Sequence, residues 1–437
     1  MRSLKIYLII IFALGTFTLS SQEKLDLQNA ISIGLENNYG IRLVRQDAAV
    51  AANNNTLGNA GFLPRLSASG SQSYSVTNSN QEYLSGITSD RSGAKADALN
   101  AGLQLNWMLF DGMRMFRRYD QLGQLEERSE LQLLLTVENT ISDIHAAYYT
   151  LAQLNHQKKV LEETLSVDNE RLQLSVHKLE TGAGSRLEVL QAQVDMNADS
   201  AMYINLIDQI DRTRINLNQL MGRDPQTFFT VEDSVTVDAS MMAETLQQQM
   251  LERNTMLELS RKDEQLAQLA LREIKGRQLP EVGFNFGYNF INQQSESGFL
   301  VQNRSSGLTY GLNASMNLFN GFNTRREQQN LQIQIQSSRI RLESLINELN
   351  ATLQSNFGSY SSKLRLMSME RQNLLSAKEN LDIAKERYSF GDLSGIEFRE
   401  AQRNYLYAEA RLLNVLLDAK LLETSLIQLA GKLVIQK

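Results

Sequence analysis

A duplication at fixed spacing constrains this chain more than any other feature. Gly102-Leu103 and Phe110-Asp111-Gly112 recur 209 residues later as Gly311-Leu312 and Phe319-Asn320-Gly321. Gly182, Glu188, Ala192 and Gln193 recur at the same spacing as Gly391, Glu397, Ala401 and Gln402, and Leu217, Gln219, Leu220 and Gly222 as Leu426, Gln428, Leu429 and Gly431. Pro64 and Pro280 stand 216 apart, a longer loop absorbing the difference. An offset held over more than a hundred residues makes each half one structural unit, and the two are expected to pack side by side. The repeats are placed at 22–223 and 256–437, with 224–255 as a connector that has Pro225 near its start.

Each half carries two segments of period-two patterning. Leu103, Leu105, Trp107 and Leu109 alternate with Gln104, Asn106 and Met108, and Leu312, Ala314, Met316 and Leu318 with Asn313, Ser315 and Asn317. Upstream, Val282, Phe284, Phe286, Tyr288 and Phe290 alternate with Glu281, Gly283, Asn285, Gly287 and Asn289. Leu66, Ala68, Gly70, Gln72, Tyr74 and Val76 form a weaker counterpart. Successive side chains of a strand point to opposite faces, so strands are expected at about 62–76, 102–110, 281–291 and 308–319. Segments 77–101 and 292–307, rich in Ser, Asn, Gly and Gln, read as exposed loops. A face of aromatic and aliphatic residues opposite an uncharged, Asn-rich one suits a membrane barrel, although a soluble antiparallel sheet with one solvated face has the same period. Four strands cannot close a membrane barrel, which needs about eight or more, so a barrel reading requires oligomerisation.

Beyond Gly321 the period becomes helical. Leu342, Ile346, Leu349, Leu353, Phe357, Tyr360, Leu364, Met367 and Leu374 step by threes and fours, with Arg371 filling one position. The first half repeats this from Leu122 through Ile144, Leu151 and Leu161 to Leu165. Three prolines in 437 residues leave such helices uninterrupted, because an interior Pro costs a helix about 3 kcal/mol. Helical hairpins are expected at about 113–221 and 323–430, turning at Thr181-Gly182-Ala183-Gly184-Ser185 and Phe390-Gly391-Asp392-Leu393-Ser394-Gly395. The fold class is mainly α with a membrane β part.

Arg2 and Lys5, an apolar run from Ile6 to Leu19 and small residues at Ser20-Ser21 read as a cleavable export signal over residues 1–21. Its loss leaves 41 basic against 49 acidic residues, a net charge of −8, which argues against a nucleic-acid partner. With no Cys, disulfides, thiolate metal sites and an N-terminal lipid on Cys are excluded. His145 and His156 share a helix face three turns apart, too far for one metal, and His177 lies further along. No phosphate-cradling loop, nucleophile elbow or zinc motif is present. The chain is expected to be neither an enzyme nor a cofactor binder.

The tip segments Lys178-Leu179-Glu180-Thr181-Gly182 through Leu187-Glu188-Val189-Leu190-Gln191-Ala192-Gln193, and Arg387-Tyr388-Ser389-Phe390-Gly391 through Ile396-Glu397-Phe398-Arg399-Glu400-Ala401-Gln402, resemble those of the TolC family of outer-membrane efflux proteins. The Leu-Phe-Asp-Gly and Leu-Phe-Asn-Gly segments at 109–112 and 318–321, and Leu-Pro at 63–64 and 279–280, also resemble that family. Together they cover about 23–432. The resemblance implies a homotrimer, four strands per protomer in a shared outer-membrane β-barrel, and long helices forming an α-barrel that extends into the periplasm. Residues 224–255 and the C-terminal tail would form an equatorial region. A periplasmic adaptor and an inner-membrane transporter would be partners, and outer-membrane lipid would surround the barrel. Either efflux or protein secretion fits; a secreted coiled-coil or adhesin protein is the alternative class.

The resemblance also assigns the candidate sites. Glu397 and Glu400 would narrow a periplasmic gate, with Glu188, Gln191 and Tyr388 beside it. Crowded carboxylates there would raise one another's pKa; the plainer role for both is that of first-turn acids favoured by the helix dipole. Gly182, Ser185, Leu187, Gly391, Leu393 and Ile396 would form adaptor-docking tips. Leu393 stands where the family has a basic residue that latches the tip.

Overall fold

The computed structural model describes residues 23–232, 235–298 and 300–434; the export-signal reading of 1–21 lies outside them. The elements, in chain order, are β1 (Glu23–Leu25), α1 (Leu27–Asn37), α2 (Tyr39–Asn54), α3 (Leu57–Ala60), β2 (Arg65–Glu82), β3 (Thr88–Asp111), α4 (Arg114–Glu180), α5 (Arg186–Leu220), β4 (Phe229–Val231), α6 (Ala243–Arg253), α7 (Thr255–Gly276), β5 (Glu281–Ser295), β6 (Gln302–Ser315), α8 (Asn323–Ser389) and α9 (Gly395–Leu429). Helices α4 and α8 have 67 residues each and α5 and α9 have 35 each. In both pairs the second copy begins and ends 209 residues after the first. No described helix is long and apolar enough to cross a membrane.

The duplication reaches further than the expected boundaries. Helices α6 and α7 begin 216 residues after α1 and α2, so the second repeat opens near residue 243 and the connector shrinks to about 224–242. The repeats are also not the compact units. Of the described residues, one unit comprises 23–45, Leu133–Leu257 and 345–434; the other comprises Gln46–Gln132 and Glu258–Ser344. Each unit draws on both repeats.

The second unit holds a four-stranded antiparallel sheet in the order β2-β3-β5-β6. Its register aligns the apolar positions into rows. Leu66, Leu105, Phe286 and Tyr310 lie across the four strands, as do Ala68, Leu103, Tyr288 and Leu308. The opposite face carries Ser67, Gln104, Gly287 and Thr309, and then Asn106 beside Asn285, whose amide donates to Asn313 at 2.8 Å. Among the described residues the outer edges of β2 and β6 have no strand partner.

Three strand expectations change. Residues 77–101 are mostly ladder: β2 and β3 pair out to Glu82 and Thr88, and the turn is closed by Tyr83 N–H donating to the Ile87 carbonyl at 2.9 Å. Likewise β5 and β6 cover much of 292–307. Ser, Asn and Gly have low strand propensity, but pairing of the backbone does not require a packed face. A bulge between Met108 and Phe110 brings Phe110 opposite Val282, so Leu109 leaves the apolar row and Phe110 joins it. Finally, β6 stops at Ser315, opposite the first residue of β5; Met316 and Leu318 have no strand to pair with and are exposed.

The first unit is built on Leu25, Ile144, Tyr148, Leu151, Leu217, Met221, Phe229 and Val231. Strand β1 pairs in parallel with β4, Leu25 opposite Val231. Each repeat is closed by the same device at the joint between its first two helices. Asn38 accepts from Ile41 N–H at 3.1 Å and donates to the Leu220 carbonyl at 2.8 Å; Asn254 accepts from Leu257 N–H at 3.2 Å and donates to the Leu429 carbonyl at 3.0 Å. One amide thus caps a helix start and satisfies a helix end, 209 residues apart in its two acceptors. Asn254→Ala removes the cap and strands the Leu429 carbonyl. It is expected to cost about 2–3 kcal/mol, read as a lower thermal midpoint in mild detergent, and Asn38→Ala should match it.

Candidate functional site

Both helical turns close as Schellman motifs. In the first, Ala183 N–H donates to the Lys178 carbonyl at 2.8 Å and Gly182 N–H to Leu179 at 3.2 Å. In the second, Asp392 donates to Arg387 at 2.9 Å and Gly391 to Tyr388 at 3.1 Å. Gly182 and Gly391 have φ of +75° and +79° with nothing near the place of a Cβ, so backbone conformation, and not crowding, demands glycine there.

The two return helices are capped by serines. Ser185 accepts from Glu188 N–H at 3.3 Å. Ser394 forms a reciprocal capping box: its hydroxyl accepts from Glu397 N–H at 3.2 Å, and Glu397 Oε2 accepts from the Ser394 N–H at 3.1 Å and hydroxyl at 2.7 Å. Within one protomer the Ser394 hydrogen bonds hold Glu397 below the usual carboxylate range. Glu397 and Glu400 share an open hollow of about 240 Å³ with Leu393, Arg387 and Asn404. Glu188 and Gln191 are exposed on the first return helix.

Tyr388 is buried and stacks on Phe398 with ring centroids 5.1 Å apart. Its hydroxyl lies 3.4 Å from that of Ser175, and Lys178 Nζ sits 4.9 Å over its ring, so it joins the second tip to α4. Leu393 packs on the same cluster; it is an apolar plug where a basic latch was sought. Leu187 and Ile396 are exposed, as are Leu190, Val194 and Phe390 around the same turns.

A cluster that motif reading missed lies just inside the tips. Arg399 of α9 grips Asp199 of α5 through two bonds, Nη1 to Oδ2 at 2.6 Å and Nη2 to Oδ1 at 2.8 Å, and donates to Gln402 at 3.0 Å. Gln402 donates to Asp168 of α4 at 3.0 Å. Arg399 also lies 3.8 Å from Asp168 and 3.7 Å from Asp195, which is paired with Arg171. Asp168 and Asp199 are each 1% exposed. Burial, then a hydrogen bond with Asp199, pushes Asp168 up to about 6. Burial acts the same way on Asp199, but the bonds from Arg399 and Asp168 outweigh it and hold Asp199 low. The signal was present: the apolar ladder of α4, continued past Leu165, meets Asp168, Arg171 and Ser175 at inward positions.

His156 Nε2 lies 3.0 Å from Glu409 Oε1, and His145 faces Thr424. No His, Asp and Glu cluster suited to a metal occurs among the described residues.

The chain matches the family described as outer membrane efflux protein over residues 30–223 and 246–432. It is 19% identical over 335 residues to outer membrane efflux protein BepC of Brucella suis biovar 1 (strain 1330), covering 76% of this chain and 72% of that protein. Among solved structures it is similar to a membrane protein from Pseudomonas aeruginosa, with a TM-score of 0.77, 16% identity, and 94% and 91% of the two chains covered. It is likewise similar to the outer membrane protein VceC of Vibrio cholerae, with a TM-score of 0.75, 16% identity, and 93% and 96% covered.

Proposed function

Because this chain belongs to the outer membrane efflux protein family, we propose that three copies form the exit duct of a tripartite efflux or secretion system, gated at the helical tips and driven by an inner-membrane transporter through a periplasmic adaptor. The supporting observation is the sheet: four strands, a continuous apolar face and two unpaired edges. Unpaired backbone groups in hydrocarbon cost several kcal/mol each, and an edge-to-edge ring of copies removes them. Two chains would supply eight strands; three supply twelve and enclose a water-filled passage lined by the Asn-rich face. The exposed apolar residues at the turns, Leu187, Phe390 and Ile396, suit a protein partner. Conduction needs no catalysis or cofactor from the chain.

Planar-bilayer recording tests this. Wild-type protein should conduct in discrete steps. Glu397→Gln with Glu400→Gln should raise conductance and lower the preference for cations, since both carboxylates stand at the second tip. A water-soluble rod with no conductance would sink the channel reading.

A further inference from the structure

We propose that a band of exposed cations at the foot of the four-stranded sheet binds the headgroups of anionic phospholipids in the periplasmic leaflet of the outer membrane. The proposal rests on the sheet being the part of the chain that lies in the membrane.

Three observations carry it. The first is level. Register places Val282 opposite Phe110, Phe284 opposite Trp107, Phe286 opposite Leu105, Tyr288 opposite Leu103 and Phe290 opposite Ala101. The next pairs on that face are Asn292 with Leu99 and Gln294 with Asp97. The apolar stretch of β5 therefore runs from Val282 to Phe290, close to the roughly 9–11 residues that carry a tilted strand across hydrocarbon. Hydrocarbon ends at Val282, and the headgroup layer, about 5–7 Å thick on each side, falls on the helix ends that follow. Trp107, Phe116 and Phe322 are exposed at this level, as aromatic residues are at a membrane interface.

The second is charge. Segments 111–120, 272–281 and 319–327 meet at this level: Gly112 lies against Gly276, Arg114 donates to Glu281 at 2.5 Å and Arg277 to Glu327 at 3.1 Å. Together they hold eight basic and five acidic residues, in a chain with 43 basic and 49 acidic. Carboxylates already answer Arg114, Arg117 and Arg277. Arg118, Arg272, Lys275, Arg325 and Arg326 are exposed and have no ion-pair partner among the described residues. Each lies within four residues of a helix end, about 6 Å along the axis, which is the depth of one headgroup layer. The third is that a local rule is broken. Neither α4 nor α8 has an acidic residue in its first turn, where the helix dipole favours one. Both carry arginines there instead, and Arg117 and Arg326 stand 209 residues apart. Cations placed against the dipole in both copies call for an anion from outside the chain. Spread over three helix ends, they suit a layer of phosphates, to which each Lys or Arg adds attraction.

Trp107, the single Trp of the chain, is placed to test this: its indole donates to the Phe62 carbonyl at 2.9 Å, and Phe62 packs on Phe116 of α4. Its fluorescence reports the adjoining lipid. The detergent-purified full chain is reconstituted into bilayers of phosphatidylcholine and phosphatidylglycerol, with brominated, quenching acyl chains on one lipid or the other. Wild type should bind phosphatidylglycerol about three- to tenfold more tightly than phosphatidylcholine at low salt. The ratio should fall toward unity near 1 M salt, where the screening length is about 3 Å. Arg118→Gln, Arg272→Gln and Lys275→Gln together should remove most of the preference, whereas Arg91→Gln with Arg304→Gln, toward the far end of the sheet, should leave it. If the triple variant does not assemble, Arg325→Gln with Arg326→Gln takes its place and should lower the ratio. A wild type without preference, a preference untouched by salt, or one that the variants at the helix ends leave intact refutes the band. Absence of quenching by either brominated lipid would instead overturn the placement of the sheet in the membrane.

Discussion

Gly112→Ala should be the most damaging single-methyl change in the chain, and its repeat partner Gly321→Ala a mild one. At position 112 a Cβ would stand 2.1 Å from the Gly276 carbonyl oxygen and 3.0 Å from Leu279 Cβ. Backbone atoms cannot swing away as a side chain can. The left-handed φ of +73° adds about 1 kcal/mol for a residue with a Cβ. Relaxation is blocked on both sides. Met113 is already left-handed at φ +68°, and Arg114 ties the joint by donating to the Asp111 carbonyl at 2.9 Å and to Glu281 at 2.5 Å. The combined cost is expected to exceed about 3 kcal/mol, in the range of overpacked cores plus backbone strain. Gly321 has nearly the same φ, +65°, but only the Asn323 side chain, 3.8 Å away, near its missing Cβ. Gly321→Ala should therefore cost the protomer only the left-handed term, about 1 kcal/mol. Thermal midpoints of the two variants, with their levels in the outer-membrane fraction, check this. Equal losses would show that the approach of Gly112 to Gly276 is not what makes position 112 special.

The same joint shows how far the sequence could be read. The Phe-Asp-Gly and Phe-Asn-Gly segments mark where period two gives way to a helical period, and the strand-to-helix turn falls there in both copies. The long hairpins were legible because their apolar steps persist over many turns with no Pro. Other parts were hidden for physical reasons. Helices α1 and α6 have only 11 residues each, too few turns to establish a period, and the Asn38 and Asn254 joints depend on carbonyls far along the chain. The upper parts of β2 and β3 are held by ladder bonds between Ser, Asn and Ala, residues whose side chains advertise loop. At the tips, the capping serines and the two glycines followed from local rules. The Arg399 cluster did not, because its members come from three helices and only Gln402 repeats. Polar residues at inward positions of α4 were its one trace in sequence.

In the first unit the buried Asp168 and the half-buried His145 titrate in opposite senses over the same window, and separating them is the second large effect expected. His145 is pushed down to about 4 by burial and then by Lys420; Asp168 is pushed up to about 6 by burial and by Asp199. Folding keeps His145 neutral where the unfolded chain would protonate it. Its contribution is present above about pH 6.5 and is lost as pH falls toward 4. Folding keeps Asp168 protonated where the unfolded chain would ionise it. Its contribution is present below about pH 4 and is lost as pH rises through 6. Each shift spans roughly two units, or about 3 kcal/mol at 1.36 kcal/mol per unit, so in wild type the two nearly cancel between pH 4 and 6. Asp168→Asn removes the falling limb, and relative to wild type its stability should climb with pH by up to about 3 kcal/mol. His145→Gln removes the rising limb and should decline by a similar amount over the same interval. Thermal midpoints of the three proteins at pH 4.5 and 6.5, taken as differences from wild type so that the remaining carboxylates drop out, would show slopes of opposite sign. Slopes of the same sign would mean that one of the two groups is solvated in the folded protein, and a flat line for Asp168→Asn would mean that the Arg399 cluster holds no proton at all.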